Sequence, residues 1–167
     1  MSEAQCPACR AFVNGGWAGC QAVWDEVSVL AYTHPTYAAM RDLAFDTYCM
    51  QHPEHYGRSA KSYAAHLCRL CCGLEHNAAP ATYAAIRQWL DGVNIAIEKP
   101  PLLSARGQLT VLSVRALPNA EAYPSLVQVW AENVWEAYRE QHPLARNWIA
   151  AALVAYKKVN PKQRRQS

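Results

Sequence analysis

The stretch CQAVWDEVSVLAYTHPTYAAMRDLAFDTYCMQHP, residues 20–53, decides the fold. From Gln21 to Tyr32 the apolar side chains Val23, Trp24, Val27, Leu30 and Ala31 recur at intervals of three and four, the stripe of an amphipathic helix. His34-Pro35 breaks that period, and Pro35 suits the first turn of a new helix, where its missing N–H would have no partner anyway. A second stripe runs through Tyr37, Met40, Leu43, Ala44, Thr47 and Tyr48 as far as Gln51-His52-Pro53. Two helices with so short a connection form an antiparallel hairpin, so the end of the second returns to the start of the first. His52 therefore comes back beside Cys20, whereas His34 sits at the far tip, about 20 Å away at a rise of about 1.5 Å per residue.

Outward from this hairpin, the text toward the N-terminus has no helical period. Cys6-Pro7-Ala8-Cys9 and Asn14-Gly15-Gly16 carry turn signals, so the first twenty residues are expected to form a compact loop. Toward the C-terminus a third helix is expected from Ser59 to about His76, a fourth from Pro80 to Leu90, and a short one from Thr110 to Ala116. Two more follow at about Glu121–Gln141 and Leu144–Lys158. Lys99-Pro100-Pro101 and Ser104-Ala105-Arg106-Gly107 mark a long surface connection between the fourth and the short helix. The expected fold is all-α, five to six main helices in a bundle-like array with an N-terminal Cys-rich zinc-knuckle loop. Residues 1–158 are expected to form a single helical domain, including a metal-binding loop at 1–20, and residues 159–167 a basic flexible tail.

Composition sets the function classes. The chain has 167 residues, 51% hydrophobic and 17% charged, which fits one compact domain and excludes a disordered chain. Its formal charge of +3 is concentrated at the end, in Lys157, Lys158, Lys162, Arg164 and Arg165, so nucleic acid is not expected as a partner except through that tail. A protein partner remains open. The longest apolar run, Trp148 to Tyr156, has nine residues, too few to span a membrane. Met1 to Cys6 has neither a basic segment nor an apolar core, so no secretory signal is read and a cytoplasmic location is expected. There, an odd number of cysteines points to metal binding, catalysis or burial rather than a disulfide framework. No glycine-rich phosphate loop, Gly-x-Ser-x-Gly elbow or His-Glu-x-x-His helix occurs.

The cysteines and histidines carry the chemistry. Cys6-x-x-Cys9 has the spacing of a zinc knuckle, and Cys20, at the entrance of the first helix, supplies a third thiolate favoured by the helix dipole. Hairpin geometry selects His52 as the fourth ligand, with Cys49, one turn away, as the main rival and His66 and His142 as further ones. The bland alternative makes His52 a helix-ending histidine and Cys20 a small buried residue. Asp46 and His66 fall at similar height on adjacent helices, which allows an acid–base dyad, a pair that orients a metal ligand, or an ordinary buried polar pair. Cys71 reads as packing, and Cys68 and Cys72 lie one turn apart on the same helix. Trp130, Trp135 and Trp148 follow helical spacing and read as core. Three functions fit: a zinc protein whose structural ion is held by three cysteines and one histidine, a metal-dependent hydrolase-like enzyme with an open zinc site and candidate catalytic residues Asp46, His66 and His142, and an interaction module.

Residues 46–53 and 136–143 share the pattern acidic-x-Tyr-x-x-Gln-His-Pro, which reads as a helix stop or a remnant of duplication. Taken with Cys6-Pro7-x-Cys9, Cys20, Ala65-His66-Leu67, Gly107-x-Leu109-Thr110 and Trp130-Ala131-x-x-Val134-Trp135, the segment Asp46 to Pro53 resembles a bacterial family of uncharacterised proteins, domain of unknown function 5946. The resemblance spans most of the chain and implies no reaction. It implies a shared role for His52, His66 and His142. In that family glycine typically stands where this chain has Arg10, and often histidine where it has Arg41.

Overall fold

The computed structural model describes residues 3–76, 79–92, 95–115 and 120–159. Two short strands, β1 (Glu3–Gln5) and β2 (Phe12–Asn14), pair antiparallel, with Ala4 opposite Val13. The helices are α1 (Trp17–Leu30), α2 (Pro35–Gln51), α3 (Pro53–Tyr56), α4 (Ala60–Glu75), α5 (Pro80–Asp91), α6 (Val111–Arg115), α7 (Tyr123–Ala137) and α8 (His142–Val159). The architecture is mostly helical, as expected. The N-terminal loop is a small β-hairpin, and α3 is a single turn that sequence periodicity does not reveal. The basic tail expected for residues 159–167 lies outside the described residues, except that Val159 closes α8.

Local chemistry sets the helix starts. Proline occupies the first or second position of α2, α3, α5 and α7. Ser59 caps α4 by accepting from the Ser62 amide at 3.0 Å, and the His34 ring accepts from the Thr36 amide at 3.3 Å ahead of α2. α2 lies at the centre, packed against α4 and α7, while α8 packs against α4 and α5. α1 contacts α2 and α6, burying Val23, Trp24 and Val27. The bundle interior holds Trp130, Tyr63 and Tyr138. Each buried hydroxyl is partnered: Tyr63 donates to Gln141 Oε1 at 2.7 Å, and Tyr138 donates to the Met50 carbonyl at 2.6 Å. Among the described residues no helix is long and apolar enough to cross a membrane.

The long connection after α5 is a surface segment whose end is pinned. Gln51 Nε2 donates to the carbonyls of Arg106 (3.0 Å) and Leu109 (2.7 Å), while Trp130 donates to Gln51 Oε1 at 3.0 Å. Asn133 Oδ1 accepts from the Gln108 and Leu109 amides. Gly107 makes that approach feasible: its φ is +94°, and a Cβ there would lie 2.8 Å from Asn133 Oδ1. The Gly-x-Leu-Thr motif is thus a docking element for the connection.

At the opposite face Glu75 ties α4 to α7 and α8, accepting from Arg146 through Nε and Nη2, both at 2.8 Å, and from the Trp135 indole at 3.0 Å. Arg146 beside it pulls the Glu75 carboxyl down to about 2. A depressed carboxylate pKa gives stability that is full above its unfolded value and lost as pH falls through the folded one. Between about pH 4.5 and 2 the wild type should therefore lose stability more steeply than Glu75→Gln in denaturant titrations, and parallel curves would refute this staple.

Gln51→Ala leaves the Trp130 N–H and two carbonyls without their partner, which should cost about 2–4 kcal/mol in urea unfolding. It should also open a tryptic cut after Arg106 that Trp130→Phe does not.

Candidate metal centre

The four candidate ligands arrive from three pieces of chain. Cys6 and Cys9 occupy the turn of the β-hairpin, where the Cys6 amide donates to the Ala11 carbonyl (2.8 Å) and the Arg10 amide to the Cys6 carbonyl (2.9 Å). That turn places Arg10 at φ 65°, the left-handed region in which glycine is free of strain. Here Arg10 instead reaches across to the Ser104 carbonyl at 3.0 Å. Cys20 lies in the first turn of α1, which begins at Trp17 rather than near Gln21. His52 is the hinge between α2 and α3, closing one and opening the other.

The side chains converge. His52 Nε2 is 3.4 Å from Cys20 Sγ and 3.7 Å from Cys6 Sγ, and Cys9 Sγ is 3.6 Å from Cys20 Sγ. All four ligand atoms lie within 4.8 Å of one another, so this cluster could hold a metal ion. The opposite ring nitrogen, Nδ1, donates to the Tyr48 carbonyl at 2.7 Å, which fixes the tautomer and leaves the Nε2 lone pair aimed at the sulfurs. Cys6, Cys20 and His52 have no exposed surface and Cys9 has 5%, so protein closes the cluster on all sides.

Aromatic rings form the wall. Trp17 stacks on His55 at 3.7 Å between ring centroids and also meets His52 and Tyr56. Tyr48 covers the His52 ring at 4.1 Å and stacks on Trp24 at 4.6 Å. Within this dry pocket the sulfurs compete for one negative charge. Hydrogen bonds from Cys20 and Cys9 hold Cys6 far below the ordinary thiol range, while contact with Cys6 and Cys9, followed by burial, pushes Cys20 far above it. Three thiolates in contact need a cation to be anionic together.

The remaining sequence candidates lie elsewhere. Asp46 and His66 do meet, with Nδ1 of His66 2.9 Å from Asp46 Oδ1, and Arg69 completes the group through Nε at 2.9 Å from Asp46 Oδ2. Burial drives the Asp46 carboxyl above its ordinary range, while His66 and Arg69 draw it back. His142 stacks on Trp135 at 3.7 Å with its Nε2 2.9 Å from the Trp135 carbonyl, apart from both groups. His52, His66 and His142 therefore occupy three different environments. Cys49 is buried but is not among the clustered ligands. Cys68 and Cys72 are likewise buried in the core. A second trio, Cys71, Glu75 and His76, has its carboxylate already engaged by Arg146 and Trp135. Trp17 and Arg69, both central to these environments, carry no spacing signal that marks them.

If Trp17 is the lid of the cluster, Trp17→Ala should raise labelling of Cys6 and Cys20 by a thiol reagent by about tenfold over wild type, read by mass spectrometry. Unchanged labelling with native circular dichroism would assign the shielding to Tyr48 and Trp24 instead.

No curated protein and no solved structure matches the chain. The family model described as a family of unknown function, DUF5946, matches residues 4–139, a span that includes all but the first residue of β1, the whole of β2, all four candidate ligands and α1 through α7. The knuckle, the Gln-His-Pro hinge and the Gly-x-Leu-Thr docking element all fall inside that match, and the chain belongs to the DUF5946 family.

Proposed function

We propose that this protein is a cytoplasmic zinc-binding helical protein in which Cys6, Cys9, Cys20 and His52 hold one structural zinc ion. The observation that carries this reading is the spacing of the four donor atoms. A tetrahedral zinc with bonds of about 2.3 Å to sulfur and about 2.0 Å to nitrogen sets sulfur–sulfur edges near about 3.8 Å and sulfur–nitrogen edges near about 3.5 Å. The contacts of 3.6, 3.4 and 3.7 Å match those edges to within about 0.2 Å.

Donor chemistry and burial support the same reading. Three thiolates and one imidazole suit zinc, and four protein ligands behind a closed aromatic wall suit a structural rather than a catalytic ion. The tyrosine carbonyl behind His52 supplies the orienting contact that metal-bound histidines usually have. Cys9 and Cys20 stand 3.6 Å apart as free thiols, each available as a ligand. Zinc would join the β-hairpin, α1 and the α2–α3 hinge into one unit. Metal binding of this kind contributes about 10 kcal/mol or more to zinc-peptide folding, ample for a hairpin of three-residue strands.

Elemental analysis of the purified protein should give one zinc per chain. Cys6→Ser, Cys9→Ser, Cys20→Ser and His52→Ala should each lose the metal and lower the melting temperature, with Cys49→Ser retaining it. A strong chelator should reproduce the loss. Metal-free protein that is fully folded, with Cys6→Ser melting as wild type, would overturn the proposal.

A further inference from the structure

Away from the cysteine cluster, three clefts meet at a single side chain. Arg69, on α4, lines a cleft of about 660 Å³ bounded by α2, α4, α5 and α7, a second of about 420 Å³ against α1, and a third of about 300 Å³ toward the end of α5. The largest falls in the size range of small-molecule sites. Its walls include Ala38, Met40, Leu43, Pro80 and Ala84, and its charged groups are Arg41, Arg69 and Arg87 against one carboxylate, Asp42.

Arg69 is held as a receptor group would be. Its Nε is engaged by Asp46, a carboxylate with 1% side-chain exposure that is braced in turn by His66. One face of the guanidinium lies over the Tyr83 ring at 4.8 Å, and Nη2 has only a long contact, 3.5 Å, with Asp42. The fork is thus fixed from behind while its terminal nitrogens retain donor capacity. Arg87 forms no ion pair or hydrogen bond among the described residues, and Arg41 pairs only with its exposed neighbour Asp42 at 3.3 Å. An ordinary interhelix ion pair would need Asp46 and Arg69 alone. It would not need two further arginines on the same apolar cleft.

We propose that this cleft binds a small organic phosphate monoester, its phosphate held by Arg69, Arg41 and Arg87 and its apolar body by Met40, Leu43 and the neighbouring alanines. Counting Asp42 at the cleft and Asp46 behind Arg69, the three guanidinium groups leave one uncompensated positive charge, which draws an anion, and a phosphate's three oxygens can take up more of the three forks than a carboxylate's two. Guanidinium forks also match phosphate oxygens geometrically. The metal ligands take no part, so the site stands independently of the zinc reading.

Calorimetric titration of the full-length protein with phenyl phosphate tests this, with inorganic phosphate, benzoate and phenol as comparison probes. Saturable binding of phenyl phosphate is expected, at least about fivefold tighter than inorganic phosphate or benzoate, with phenol silent and with affinity falling as salt rises. Arg41→Ala and Arg87→Ala should each weaken it by about fivefold or more, and together they should abolish it. Arg69→Lys keeps the charge beside Asp46, so the fold survives, but it loses the fork and should weaken binding by about tenfold. Arg139→Ala, on a distant turn, should leave it unchanged. Absence of saturable binding, equal affinity for phenyl phosphate and inorganic phosphate, or indifference to the Arg41→Ala/Arg87→Ala pair would each overturn the proposal.

Discussion

The final turn of α2 ends inside the protein, and the carbonyls of Tyr48, Cys49, Met50 and Gln51 lie past the last amide that could reach them within the helix. Buried carbonyls without donors are costly, so each must be met from outside. The His52 amide reaches the Tyr48 and Cys49 carbonyls at 3.1 and 3.0 Å, and the His52 ring adds a second donor to Tyr48. The Tyr138 hydroxyl serves Met50, and the Arg106 guanidinium serves Gln51 at 3.2 Å. One helix end thereby gathers its own next residue, the residue at which α7 stops, and the end of the long connection.

The same constraint places the cysteine–histidine cluster. With Nδ1 committed to a carbonyl one turn back, Nε2 of His52 has a single direction left, and Cys20 and Cys6 stand there. Arg106 is meanwhile drawn into the interior by its bonds to the Gln51 carbonyl and to Glu54 on α3, at 2.9 Å for one oxygen. The Arg106 pairing holds Glu54 below the ordinary carboxylate range although burial raises it. The hinge after α2 is therefore anchored on one side by the cysteines and on the other by this ion pair. Its two polar residues are divided between those tasks, Gln51 to the connection and His52 to the cluster. The parallel sequence at Gln141-His142-Pro143 does something different: Gln141 accepts from Tyr63, and His142 stacks on Trp135 at the start of α8. The repeated pattern marks two helix junctions with unrelated side-chain environments: α2 runs up to Gln51, whereas α7 stops at Ala137 and His142-Pro143 opens α8.

What the sequence discloses follows from how strongly each feature is written into local chemistry. α2 runs Pro35–Gln51 as read, because proline marks one end and His-Pro the other. α4 and α5 likewise begin where Ser59 and Pro80 say they should. α1 starts earlier than its apolar stripe, since its N-cap is Gly16 at φ 58° with no capping side chain to advertise it. Strands of three residues and a helix of four are too short to show a period. The convergence of Cys6, Cys9, Cys20 and His52 is legible because antiparallel helices bring defined levels together. His142 stands apart from the other site candidates, and the sequence does not show it, because no hairpin relates the level of α8 to that of α2. Arg69 is hidden for another reason: a charged residue in a helix reads as solvated, and nothing local records that a buried carboxylate stands behind it.

That carboxylate gives α2 a second function in the fold. Asp46 and His52 are six residues apart, about 9 Å along the axis, so both environments hang on one rigid helix. A buried Asp46 would be expensive on its own, and the desolvation that raises its carboxyl is offset only by two fixed partners on α4. Replacing the trio with apolar side chains would serve packing equally well. The arrangement instead spends burial on holding one guanidinium at the junction of three clefts, while the far end of the same helix holds one imidazole against three sulfurs. In both places a group buried on α2 fixes the direction of a polar side chain.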